Sequence, residues 1–279
     1  GDAGIGKSGC VQALLDELDN EHIPYLALSV DQKLPQGTPE YYGEALGFRA
    51  SPVLCLESQL ASGQMGVLTL DQLDSLRWAT RSCEEALDVC GEMLRQVQAL
   101  SCSGDRAVRV VLVSRKFDYE NDLALRRLCT LAIPEQSDPW EQIKLHAWDE
   151  ERVEYFVGKE RYARMLPAMK RILRTPCYLY IWQFLEDARK DNAFTTPVDL
   201  MQEWKTQIIQ HGEQKNIHAD AIESFLNALL NLMQETPCVP EMALPGNQQV
   251  QEFLISENVL YRNEGCLAFV HQSMADYLN

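Results

Sequence analysis

The 279-residue chain is 46% apolar and 24% charged, composition that supports a sizeable core and excludes a disordered polypeptide. Its 25 Lys and Arg stand against 41 Asp and Glu, a net charge of −16. That balance argues against broad electrostatic binding to nucleic acid or an anionic membrane, though a local anion pocket stays open. No uncharged apolar run of about 18 residues and no charged-then-apolar leader is visible, and the 9 cysteines lack paired metal spacing. Reduced thiols and a cytoplasmic location without a membrane partner are the expectation.

The chain opens on Gly1-Asp2-Ala3-Gly4-Ile5-Gly6-Lys7-Ser8, which matches the phosphate-loop pattern G-x-x-x-x-G-K-[ST]. The order has a chemical reason. Gly1, Gly4 and Gly6 permit positive φ, so successive N–H groups can turn inward around an anion. Lys7 supplies a point charge to the outer phosphates, and the Ser8 hydroxyl can ligate Mg²⁺. Val11, Leu14, Leu15 and Leu18 form one apolar stripe, predicting a helix whose N-terminal dipole faces the same phosphates. Candidate nucleotide contacts therefore run from Gly1 through Asp2, Ala3, Gly4, Ile5, Gly6, Lys7 and Ser8 to Gly9 and Cys10. Such a loop ordinarily hangs from a buried strand, so the expectation is a domain cut from a longer protein at or inside the loop.

Strands and helices then alternate. Residues 23–30 read as a buried strand ending at Asp31, residues 34–39 as loop, and 54–60 as helix. Val67-Leu68-Thr69-Leu70-Asp71-Gln72-Leu73-Asp74 is an apolar strand closing on carboxylates. At the carboxyl end of a parallel strand beside a phosphate loop, Asp71 is the candidate Mg²⁺ ligand with Ser8. Asp74 is the candidate for orienting or deprotonating a water. Residues 108–114 form another strand, closing on Arg115, whose planar guanidinium suits a γ-phosphate. A short last strand is expected at 143–145.

From Asp149, a candidate cap, the chain reads as helical. Pro167 is expected to split the first helical stretch, and the Lys and Arg between 159 and 174 read as a solvated face. The stripe Ile222, Phe225, Leu226, Leu229, Leu230 and Met233 marks a structural helix. Residues 259–262 and 266–270 flank Asn263-Glu264-Gly265 as a β-hairpin, followed by a helix near His271. Helices plus a terminal hairpin suggest a winged helix. The expected fold is an α/β P-loop NTPase with a parallel sheet (first strand truncated) over residues 1–147. A helical lid follows over 148–212, and a winged helix over 213–279.

The glycine loop, Leu70 to Asp74, Val113-Ser114-Arg115, Arg174-Thr175-Pro176 and Phe269-Val270-His271-Gln272-Ser273 resemble, in this order, five landmarks of STAND NTPases of the NACHT type. That family includes the animal NLR immune receptors. Residues 71–97 and 111–122 look closer still to the bacterial antiviral STAND proteins called Avs. The resemblance implies an ATP/ADP switch with Mg²⁺. Asp71 would be the Walker B acid, Asp74 the hydrolytic carboxylate and Arg115 the γ-phosphate sensor. Pro176 would pack against the nucleotide base, and His271 would contact the β-phosphate of ADP. Slow hydrolysis, self-association on activation, a protein trigger recognised by a sensor region elsewhere, and antiviral defence are further implications. The chain departs from the family at Gln72, where a small residue is usual, and at Ser75. Two other readings are a P-loop ATPase acting on nucleic acid, disfavoured by the acidic balance, and a scaffold for which nucleotide is only a structural ligand.

Overall fold

The computed structural model describes residues 4–78, 83–103, 107–131, 140–233, 239–263 and 265–278. Backbone contacts divide it into two compact units, one of residues 7–144 and one of residues 4–6 with 145–278.

In the first unit, α1 (Lys7–Asn20) precedes β1 (Tyr25–Ser29), α2 (Pro39–Ala45), α3 (Pro52–Ser58) and β2 (Met65–Asp71). A 3-10 turn (Leu73–Trp78), α4 (Cys83–Ser103), β3 (Ala107–Leu112), α5 (Lys116–Asn121) and α6 (Leu123–Leu131) complete it. Thr38 and Ser51 cap α2 and α3 by accepting from the N–H groups of Tyr41 and Leu54, and proline follows each cap at the first helical position. The strands form a parallel sheet in the order β1-β2-β3, with Leu28 opposite Leu70 and Leu70 opposite Leu112.

Strand alternation sorts β2 into two faces. Leu68 and Leu70, both fully buried, enter a core with Val53 and Leu56 of α3, Met93 and Leu94 of α4, and Leu128 of α6. Val67, Thr69 and Asp71 take the opposite face. The expected strand at 143–145 is absent: residues 140–149 form no ladder, and Ile143 is 77% exposed. An apolar residue without a neighbouring strand to satisfy its backbone groups stays in contact with water.

The second unit holds α7 (Glu150–Val157), α8 (Lys159–Arg164), α9 (Pro167–Leu173), α10 (Pro176–Phe184), α11 (Asp187–Lys190), α12 (Pro197–Gln214) and α13 (Ala219–Met233). It continues through β4 (Val239–Pro240), a 3-10 turn (Glu241–Ala243), α14 (Gln248–Ser256), β5 (Leu260–Asn263), β6 (Cys266–Phe269) and α15 (Gln272–Leu278). Asp149 caps α7 through the Arg152 N–H at 2.8 Å, and Gly158 and Pro167 break the helical run into three. The hairpin pairs β5 with β6, and the short β4, not anticipated from the sequence, adds to the other edge of β6. One core runs through these helices and the hairpin, from Leu173 and Trp182 through Trp204 and Phe225 to Leu267 and Met274.

Several of the Lys and Arg of 159–174 are engaged locally. Arg161 pairs with Asp187 and Asp191, Arg174 donates to the Trp148 carbonyl at 2.6 Å, and Lys170 lies over the Tyr162 ring. No helix among the described residues is long and apolar enough to cross a membrane.

A polar network ties α12 to α14. His211 on α12 meets Glu257 at 2.8 Å through Nδ1 and Glu186 at 3.1 Å through Nε2, while Lys215 reaches the other Glu257 oxygen. The Glu257 hydrogen bond outweighs burial and raises the His211 pKa above 6.5. A group whose folded pKa is raised stabilises fully below its unfolded value and loses that contribution as pH climbs through the folded pKa. The melting midpoint should therefore fall between mildly acidic and alkaline pH, and His211→Gln should flatten that decline; parallel pH profiles for the two proteins would count against the network.

Candidate functional site

In the first unit the head of α1 lies at the carboxyl edge of the sheet. β2 ends on Asp71, and the Val30 N–H donates to the Asp71 carbonyl, which ties the exit of β1 to it at 3.2 Å. Asp71 shares its strand face with Thr69, and the Ser8 hydroxyl hydrogen-bonds its carboxylate. Burial pushes the Asp71 pKa up, opposed by that bond and by the Gln72 N–H, which donates to Oδ1 at 2.8 Å.

The chain then turns at Gln72, whose φ is +62°. The backbone there is left-handed, a conformation glycine adopts without a Cβ clash. Here glutamine adopts it, and its side-chain amide Nε2 donates to Ser8 Oγ at 3.1 Å. Beyond the turn, the Leu73 N–H donates to the Val113 carbonyl and returns the chain to the β3 side.

Asp74 is 3% exposed and both its oxygens are held by Arg115: Oδ1 accepts from the Arg115 backbone N–H at 3.1 Å, and Oδ2 faces Nε at 2.8 Å. Lys7, half-buried, stands among these groups. Burial lowers its pKa, Arg115 lowers it further, and Asp74, Asp71 and Asp118 hold it up. Gly9 and Cys10 follow exposed on the first turn of α1, with open space beside Gly9.

Two carboxylates not selected from the sequence join this edge. Asp118 on α5 is 8% exposed and acts on Lys7. Asp31, just past β1, has its pKa raised to about 6, first by burial and then by the Asp71 charge, and its Oδ1 is buried without a hydrogen-bond partner among the described residues. An apolar run closing on aspartate, the pattern that marked Asp71, was present at 23–31 as well.

In the second unit, the loop glycines rest on the starts of two helices. Gly4 (φ +70°) offers its carbonyl to the Cys177 N–H at 3.1 Å, one of the donors that the first turn of α10 leaves without a helical partner. A Cβ on Gly4 would lie 2.6 Å from Cys177 Cβ and 3.1 Å from Ser273 Oγ, so glycine is required on both conformational and steric grounds. The Pro176 ring lies 3.6 Å from where a Gly6 Cβ would be, and Gly6 has φ +92°. Ile5 is 8% exposed. His271, two residues before Ser273, packs edge-on against Tyr180 with ring centroids 4.6 Å apart. Burial lowers its pKa, which favours the neutral imidazole, and its buried Nε2 has no hydrogen-bond partner among the described residues. Gly1, Asp2, Ala3 and the side chain of Ser75 lie outside the described residues.

The donor set suits an anion held with a hard cation. Two positive-φ glycines, Gly4 and Gly6, lead into Lys7 and the start of α1, an arrangement whose N–H groups could receive an anion. No group of three His, Cys, Asp or Glu placed to hold a metal by themselves occurs among the described residues. One carboxylate and one hydroxyl instead match Mg²⁺, which keeps several waters and binds substrate phosphates. Charge leads to the same requirement. Four carboxylates (Asp31, Asp71, Asp74, Asp118) face two cations (Lys7, Arg115), so a polyphosphate without a divalent ion would add repulsion.

Asp74→Ala leaves the Arg115 N–H and Nε without their buried acceptor. The unfolding free energy should drop by about 1–3 kcal/mol in denaturant melts, and less for Asp74→Asn, which keeps one acceptor; equal stability of all three proteins would show the pair to be structurally idle.

No family model matches the chain, and no curated protein matches it. Solved structures similar to it include a Walker-type ATPase of Pyrococcus abyssi, with 13% identity, a TM-score of 0.41, and coverage of 100% of this chain and 89% of that one. The ORC2 protein of Aeropyrum pernix, solved as ADPNP and ADP complexes, is similar at 13% identity and a TM-score of 0.37, covering 100% of this chain and 84% of its own.

Proposed function

We propose that the chain is the nucleotide-binding core of a P-loop ATPase that works as an ATP/ADP switch of the STAND type. One observation supports this above the others: Lys7 and Ser8 of the glycine loop stand at the carboxyl edge of the parallel sheet, with Ser8 bonded to Asp71 and Asp74 paired to Arg115. The loop N–H groups and the α1 dipole receive the phosphates, and Lys7 adds its charge there. Ser8 and Asp71 would hold magnesium, which would supply charge neutralisation at the phosphoryl oxygens.

Hydrolysis needs a carboxylate to orient the attacking water, and Asp74 is that group in this reading. With both oxygens on Arg115, Asp74 is engaged in a competing pair. When the guanidinium turns to a γ-phosphate, Oδ2 of Asp74 becomes available to water. Sensing and hydrolysis are then two outcomes of one exchange of partners, which suits a slow timer better than a motor.

ADP retention rests on His271 in this reading. Its neutral imidazole donates one N–H to a phosphate oxygen, while Ser273 and Cys177 keep the start of α15 near Gly4. One hydrogen bond to a charged group contributes about 1.5–3 kcal/mol. Moving a two-state module from mostly closed to mostly open takes about 5.5 kcal/mol of differential affinity. A second input is required, and recognition of a protein trigger by a sensor region outside this chain would supply it. Release would permit self-association of the full protein, in the cytoplasm and, by the family resemblance, in antiviral defence.

Lys7→Ala should abolish the thermal stabilisation that ATP with Mg²⁺ confers on wild type. An undiminished midpoint shift in that variant refutes the phosphate assignment. His271→Ala should weaken ADP about tenfold or more, as expected for one lost charge-assisted hydrogen bond, and ATP much less. Equal losses in a calorimetric titration would remove His271 from the switch.

A further inference from the structure

Gln72 makes contacts that neither the loop motif nor the proposed switch explains. Its backbone N–H donates to Asp71 Oδ1 at 2.8 Å, and its side-chain Nε2 donates to Ser8 Oγ at 3.1 Å. One residue thus engages both groups assigned to magnesium. It does so from a left-handed conformation, φ +62°, that a side chain with a Cβ adopts against a steric penalty. The turn is pinned on either side, at Asp71 by the Val30 N–H and at Leu73 by the Val113 carbonyl. β1 and β3 therefore hold in place the conformation that aims the amide across at α1.

A serine hydroxyl has one proton and two lone pairs. The Ser8 proton goes to the Asp71 carboxylate, which accepts only. The lone pair facing Gln72 receives an N–H, a donor with partial positive charge. A divalent cation would use the same face of the oxygen, with Asp71 alongside. We propose that in the nucleotide-free protein the Gln72 amide occupies the acceptor site on Ser8 Oγ that Mg²⁺ uses, so that metal binding must displace it. Gln72 is a positioning residue in this account: it keeps Ser8 turned to Asp71 and raises the Mg²⁺ concentration at which nucleotide is captured. The inference rests on the P-loop assignment above.

The experiment measures the Mg²⁺ concentration that half-saturates ATP-dependent thermal stabilisation of the full chain, for wild type, Gln72→Ala and Gln72→Gly. Both variants remove the amide, and the glycine also relieves the left-handed turn, so a folding defect confined to alanine does not obscure the result. Both should need about three- to tenfold less Mg²⁺ than wild type, the range expected when one competing neutral hydrogen bond is lost. Their affinity for ADP in EDTA should match wild type. An unchanged or higher Mg²⁺ requirement in the glycine variant overturns the proposal, and the higher value would assign Gln72 to the metal through its carbonyl oxygen. If wild type itself gains nothing from Mg²⁺ and ATP, the phosphate-loop reading falls and takes this inference with it; a normal wild-type response with unaltered variants sinks the role of Gln72 alone.

Discussion

Burial of β2 between two parallel neighbours is the constraint on which the rest of the first unit depends. Leu68 and Leu70 are excluded from water on the core face, and both edges of the strand are paired, so β2 has one register. A slip of one residue would turn Leu68 and Leu70 out of the core and drive Thr69 and Asp71 into it. Because β1, β2 and β3 are parallel, their carboxyl ends share one edge, where Asp31, Asp71 and the Val113 to Arg115 segment emerge. Chemistry collects there because the backbone leaves the ladder there, freeing N–H and C=O groups for turns and side chains for ligands.

That edge carries more negative than positive charge, and the residues answer the excess by mutual pairing. Arg115 takes Asp74, Ser8 and Gln72 take Asp71, and Lys7 lies among the carboxylates with its pKa lowered by burial. In the proposed reading, every such pair is a contact that a phosphate or a cation would have to displace. The proposed switch needs this kind of competition, since a ligand shifts an equilibrium only by its preference for one state over another.

In the second unit the loop carbonyl of Gly4 satisfies an N–H at the start of α10, and Ser273 of α15 stands close to the same glycine. Residues far apart in the chain therefore meet at the loop within one core that runs from α7 to the hairpin. The three-part division drawn from sequence reads that stretch as a lid followed by a winged helix. The apolar residues of both parts pack into a single cluster.

Local pattern determined a good deal of this molecule. The glycine loop, the α1 stripe, the apolar strands closing on Asp71 and Arg115, the cap at Asp149, the proline break and the hairpin were all legible, because each depends on residues a few positions apart. The strand expected at 143–145 failed for the complementary reason: a short stretch such as Ile143-Lys144-Leu145 becomes a strand only when another strand is available to pair with it. The Asp74–Arg115 pair spans 41 positions and the Gln72–Ser8 bond 64. Tertiary structure alone decided these, along with the buried Oδ1 of Asp31 and the seat of Gly4 on Cys177, because sheet register and helix docking set the meeting of distant side chains, and no periodicity in the sequence records it.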